Sequence, residues 1–229
     1  MKEAGGLRVG IFGLATPMTV TSTDPRNVAG LGFGTPEEVF AAAREAVKAL
    51  QDERADLIVA LTHLGSEAYC EPSSIQLARN VAGIDLIVDG HSHSVLDGGV
   101  KEGGALIVST GEFLNNLGRV EVTKRADGGY ALSARLISAS EVQSVTPSAE
   151  ITAKLKTLDD ELGVTLNVVV ARAPFDLDGE RERVRTESTN LGRLVCASLI
   201  QATGADVGFI NGGTIRASIA KGEVTRGQV

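Results

Sequence analysis

Asp56-Leu57-Ile58-Val59-Ala60-Leu61-Thr62-His63-Leu64-Gly65 is the stretch on which the reading of the chain turns. An apolar run of strand length passes directly into a histidine and a glycine turn. A run without polar alternation fits a strand covered on both faces, as in a parallel sheet. The plan recurs downstream, where Asp85-Leu86-Ile87-Val88 leads into Asp89-Gly90-His91-Ser92-His93. Between the two, a polar loop precedes a helix expected near residues 74–81. Upstream, residues 7–14 read as a short buried strand, followed by a loop without periodicity through Gly34. Thr35-Pro36-Glu37-Glu38 then supplies an N-cap, a proline at the first helical position and acids in the first turn. A helix is expected from there to about Glu53, with Val39, Phe40, Ala43, Val47 and Leu50 on one face.

Further strands are expected at 105–110 and 117–124, with Ala126-Asp127-Gly128-Gly129 turning a hairpin into a strand over 130–137. Near Ser144 the character changes. Pro147-Ser148 opens a charged helix to about Leu162, and we place a domain boundary there. After it come a strand over 165–171, an arginine-rich stretch, a helix over 190–203, a buried strand over 205–210 and a strand-like turn before Val229.

With 43% hydrophobic residues, the chain has an ordinary globular content, and its 229 residues suffice for one large domain or two small ones. Only 3% are aromatic, so aliphatic side chains must build the core. Twenty-two basic residues against 29 acidic ones leave a net charge of −7, the wrong sign for gripping a nucleic acid polymer. A phosphate-bearing small molecule would need a local cation source instead. No apolar run reaches the roughly 20 residues of a membrane span, and the opening six residues do not read as an export signal. Cys70 and Cys196 form no CxxC pair and leave the redox compartment open.

All three histidines, His63, His91 and His93, follow expected buried strands. Loops beyond the carboxyl ends of adjacent parallel strands converge on one crevice, so histidines distant in sequence can meet there. Neutral imidazole is a good transition-metal ligand. For any one histidine, a hydrogen-bonded loop residue is the simpler reading; three at equivalent places favour a metal site. The second constellation is Arg181, Arg183 and Arg185, with Asn211-Gly212-Gly213-Thr214-Ile215-Arg216 farther on. Guanidinium groups grip phosphate oxygens bidentately, and an Asn-Gly-Gly turn lets backbone approach a ligand closely. A solvated basic edge and an ordinary turn explain the same residues equally well.

Thr62-His63-Leu64-Gly65, Gly90-His91-Ser92-His93 and Asn211-Gly212-Gly213-Thr214-Ile215-Arg216 together resemble the ordered motifs of the bifunctional metallophosphoesterase/5'-nucleotidase family. From residue 179 onward the sequence is most similar to periplasmic UDP-sugar hydrolase/5'-nucleotidases. The resemblance implies an α/β fold: part of a four-layered, calcineurin-like metallophosphatase domain over residues 1–143, a linker helix over 144–163, and the first part of a 5'-nucleotidase C-terminal domain over 164–229. It implies two divalent ions (Zn, Mn or similar), with His63 and His91 on one and His93 on the other. Arg181, Arg185, Asn211, Gly212, Gly213 and Arg216 would bind a nucleotide or nucleotide-sugar substrate.

The implied reaction is hydrolysis of nucleotide phosphoesters by hydroxide generated at the metal pair. The implied compartment is periplasmic or extracellular. Counterparts of the family's DxH, GD and GNH[DE] segments are absent from the 229 residues, so the catalytic residues are expected in a segment preceding Met1, and the chain is expected to be inactive alone. A 2',3'-cyclic nucleotide phosphodiesterase, a UDP-sugar hydrolase and a non-catalytic nucleotide- or metal-binding remnant are the alternatives.

Overall fold

The computed structural model describes residues 1–126 and 128–229, which divide into two compact units, Met1–Val145 and Thr146–Val229. In the first unit, β1 (Lys2–Ala4) turns back antiparallel onto β2 (Leu7–Ala15). The following loop contains one helical turn, α1 (Thr19–Ser22), and ends at α2 (Pro36–Asp52). Thr35 caps α2 as its sequence predicts: its side chain accepts from the Glu38 amide while Glu38 reaches back to the Thr35 amide. Next come β3 (Leu57–His63), α3 (Ser74–Asn80) under a second capping box from Ser73 and Gln76, β4 (Leu86–Val88), β5 (Val100–Glu102) and β6 (Ala105–Val108).

The sheet runs β1-β2-β3-β4-β6-β5, with β2, β3, β4 and β6 mutually parallel and an antiparallel strand at each edge. One face carries the main core. Phe40, Ala43 and Val47 of α2 and Leu77 and Ala78 of α3 pack onto Ile58, Ala60, Ile87 and Ile107. The other face is covered over its lower half by the hairpin of β7 (Asn116–Lys124) and β8 (Tyr130–Ser138), which brings Val120, Leu132 and Ala134 against Leu57, Val59, Leu86, Leu106 and Val108. Farther toward the carboxyl ends of the strands this cover is missing: Ile11, Leu61 and Val88 are 40%, 47% and 38% exposed. The expected hairpin is present, and Asp127 of its expected turn lies outside the described residues.

The second unit begins with α4 (Ala149–Leu166), followed by β9 (Val169–Ala173), α5 (Arg181–Thr186), α6 (Asn190–Thr203) and β10 (Gly222–Thr225). β9 and β10 pair antiparallel. Ala173, Leu177, Leu191, Ile219 and Val224 form a small core. Two expectations need correction. Residues 165 and 166 finish α4 instead of starting a strand. Residues 205–210 form no strand: nothing in the unit pairs with them, and Val207 and Phe209 are 75% and 88% exposed. A strand exists only by pairing, so apolar content alone does not make one. Among the described residues no helix is long and apolar enough to cross a membrane.

Candidate metal and phosphate sites

His63 is the last residue of β3. It stands beside Ala15 in the ladder, and its carbonyl accepts from the Thr16 amide at 3.1 Å. His91 follows β4 in a turn with left-handed backbone, φ 83°, and His93 repeats this at φ 58°. The turn brings the His91 ring against His63, edge to face, with centroids 5.1 Å apart. Gly65 makes this approach possible. A β-carbon there would lie 2.4 Å from Cys70 Sγ and 3.3 Å from His91 Cδ2, and its φ of +84° suits glycine. Burial is the main reason the His91 imidazolium is disfavoured; the neighbouring His63 and His93 act in the same direction, and Asp89 opposes them. His91 is thereby held toward the neutral form that ligates metals. Cys70 is buried, and burial pushes its thiol pKa up, away from the reactive thiolate.

Asp89 joins the two histidine segments. Its Oδ1 accepts from Thr62 Oγ1 at 2.7 Å, the Leu64 amide at 3.0 Å and the Gly65 amide at 3.3 Å. The next residue, Gly90, donates its amide to the Thr62 carbonyl at 3.1 Å. A serine chain adds to the link: Ser66 donates its amide to Ser92 Oγ and its hydroxyl to Ser94 Oγ, which in turn donates to Glu67. Asp89 Oδ2 is buried without a hydrogen-bond partner. Asp89, His63, Leu61 and Val88 border a groove of about 650 Å³ over the uncovered part of the sheet. Sequence reasoning passed over Asp89, although a carboxylate directly before a Gly-His turn was visible in it.

His93 faces a different partner. Its Nδ1 pairs with the Glu112 carboxylate on the loop after β6. Among the described residues, no group of three or more His, Cys, Asp and Glu side chains could hold a metal ion. The imidazoles fit a transition metal in kind, and Asp89 keeps an oxygen unsatisfied beside them. Their number falls short of the four or so donors such an ion takes.

In the second unit, α5 sorts the arginines. Arg181 and Arg185 are four residues apart and share a helix face. Arg183, on another face, pairs with Asp178 and with Glu187 at 2.6 Å, and its pKa is raised by Glu187 first and Asp178 second. The Asn-Gly-Gly turn is a 3-10 turn, Gly212–Thr214, capped by Asn211, whose Oδ1 accepts from the Gly213 amide at 3.0 Å. It lies against the end of α5: a β-carbon on Gly212 would come within 2.1 Å of the Val184 carbonyl oxygen, and one on Gly213 would come within 3.7 Å of an Arg185 guanidinium nitrogen. The fold therefore gathers Arg185, Asn211, Gly212 and Gly213. Arg216 is exposed just beyond the turn, and Arg181 lies one helical turn before Arg185.

Gly212→Ala should then cost about 1–3 kcal/mol, the usual range for overpacking, while Gly213→Ala, with nothing nearer than 3.5 Å, should stay within about 0.5 kcal/mol. Urea unfolding of the two variants checks the contrast; equal midpoints would contradict the close approach at Gly212.

The first unit is thus an α/β fold whose parallel strands deliver two imidazoles to one edge of a half-covered sheet. Comparison with known proteins narrows this. Residues 165–229 match the family model "5'-nucleotidase, C-terminal domain". The chain is 33% identical, over 99% of its length, to the trifunctional nucleotide phosphoesterase protein YfkN of Bacillus subtilis, of which it covers 16%. It is 28% identical, over 96% of its length, to the 5'-nucleotidase of Vibrio cholerae, of which it covers 46%. The crystal structure of a 5'-nucleotidase precursor from Thermus thermophilus superposes on 98% of the chain and 46% of its own length, with a TM-score of 0.72 and 31% identity. The chain is thus similar over nearly its whole length to proteins named 5'-nucleotidase and nucleotide phosphoesterase, and spans less than half the length of each.

Proposed function

We propose that this chain supplies part of the machinery of a metal-dependent nucleotide phosphoester hydrolase of the 5'-nucleotidase type. The observation that carries the proposal is the meeting of His63 and His91 at the carboxyl edge of the parallel sheet, clamped by Asp89. In this reading residues 1–143 contribute to the metallophosphatase domain, 144–163 form the linker helix and 164–229 open the nucleotide-binding domain. The two compact units support that division.

His63, His91 and His93 would hold divalent ions, which supply a nucleophile at neutral pH and offset charge on the phosphoryl group. The chain's own residues do the rest. His63 and His91 present imidazole nitrogens, Asp89 fixes the turns that aim them, and Arg181, Arg185 and Arg216 bind and orient the nucleotide. Asn211, Gly212 and Gly213 offer a close backbone edge. Guanidinium stays protonated and serves as no base. A nucleotide or nucleotide-sugar is the substrate class, and an exported location follows from the motif resemblance. The short donor set among the described residues gives the second reading its footing, in which the chain is a non-catalytic nucleotide- or metal-binding remnant.

Two substitutions test the division of labour. Arg216→Ala should weaken nucleotide binding by about 1.5–3 kcal/mol, the scale of a charged hydrogen bond, and leave metal content unchanged. His91→Ala should lower metal content and spare nucleotide affinity. Calorimetric titration with 5'-AMP, alongside metal analysis of both variants, reads the two effects separately. Loss of metal in Arg216→Ala with intact nucleotide binding would overturn the assignment.

A further inference from the structure

The loop after β6 carries a carboxylate to the third histidine. Its backbone is fastened to the His91/His93 turn at several points. Gly111 donates its amide to the Ser94 carbonyl at 3.1 Å, Leu96 donates to the Ser109 carbonyl at 3.1 Å, and Val95 and Thr110 form an antiparallel bridge. Asn116 Nδ2, from the start of β7, donates to the Thr110 carbonyl at 3.1 Å. Held in this frame, a Glu112 carboxylate oxygen meets His93 Nδ1, with the two side chains 24% and 37% exposed. Phe113 and Leu114 follow with left-handed φ of 57° each, yet are 75% and 94% exposed. Neither gains burial from that conformation.

Neutral imidazole has one N–H and one lone pair, and the partner of one nitrogen decides which is which. A carboxylate at Nδ1 keeps the proton there and leaves Nε2 as the donor atom. Ligating histidines almost always donate their second N–H to such a partner, and removing it typically costs 10–100-fold in metal affinity. We propose that Glu112 is a positioning residue for a metal centre: it fixes the ring and tautomer of His93 so that Nε2 is presented to a divalent cation. This rests on the reading of His93 as a metal donor given above.

The test has one readout that needs no metal. In the metal-free chain, at a pH where imidazole is neutral, nitrogen-15 NMR of the three histidines should show His93 as the Nδ1–H tautomer. Glu112→Ala should release it to a mixture, and Glu112→Gln, whose amide oxygen can still accept, should restore it. Calorimetric titration with Zn²⁺ is the second readout. Glu112→Ala should bind about 10–100-fold more weakly, Glu112→Gln should recover most of the loss, and Glu112→Ala should add nothing in a His93→Ala background. An Nδ1–H tautomer unaffected by Glu112→Ala, or an equal Zn²⁺ loss in the His93→Ala background, would overturn the proposal. A chain that keeps the Glu112-dependent tautomer but takes up no Zn²⁺ would instead retire the metal reading and leave the coupling of Glu112 to His93 standing.

Discussion

Asp89→Ala should destabilise the first unit by about 3–5 kcal/mol, the range reached when a buried hydrogen-bond network is broken. Three donors converge on one oxygen of this side chain: the Thr62 hydroxyl and the Leu64 and Gly65 amides. Truncation leaves all of them without that acceptor in a buried position, at about 1–3 kcal/mol for each group left unsatisfied. The sum is less than additive because the loop can relax toward the groove. Asp89→Asn keeps an acceptor in the same place and surrenders only the charge assistance, so about 1–2 kcal/mol is expected. Urea unfolding of the three proteins measures both. An alanine cost below about 1 kcal/mol would show that the clamp is not what holds the histidine turns.

The other large effect concerns activity. With 5'-AMP and Mn²⁺, the purified 229-residue chain should turn over far below the common enzyme range of about 1–1000 s⁻¹. The reason lies in the donor set: two imidazoles in contact, a third engaged by Glu112, and no group of three candidate ligands among the described residues. An ion held by two nitrogens and otherwise by water is weakly bound and poorly oriented for in-line attack. Single-turnover assays over a range of Mn²⁺ concentrations would expose any residual chemistry. Turnover within the ordinary range would mean that other donors in the chain complete the site.

Where local chemistry decides the outcome, the sequence was readable. Thr35-Pro36-Glu37-Glu38 announced both the start and the capping box of α2, and α6 runs over Asn190–Thr203 as expected. The apolar runs before His63 and His91 are parallel neighbours, as uninterrupted aliphatic strands suggest. Where the outcome depends on a partner, reading failed. Residues 205–210 have strand composition and no strand beside them. The arginine-rich stretch contains no apolar stripe, so its helix was visible only in the Arg183–Glu187 spacing. Asp89 and Glu112 escaped notice for the same reason: their roles come from what the fold sets against them, and no spacing within the chain encodes that.

His91 and His93, the proposed metal donors, sit on backbone of the wrong hand for an ordinary side chain, at φ 83° and 58°. Left-handed backbone costs a residue with a β-carbon roughly 1–2 kcal/mol, and glycine avoids that cost. Selection for thermal stability alone would therefore be drawn to glycine at the two positions where the proposed metal site requires imidazole. Variants recovered from such a screen would melt later and bind metal worse. Any effort to harden this protein should fix residues 91 and 93 beforehand and seek its gains on α4, whose surface stands clear of the histidines in sequence and carries no buried residue.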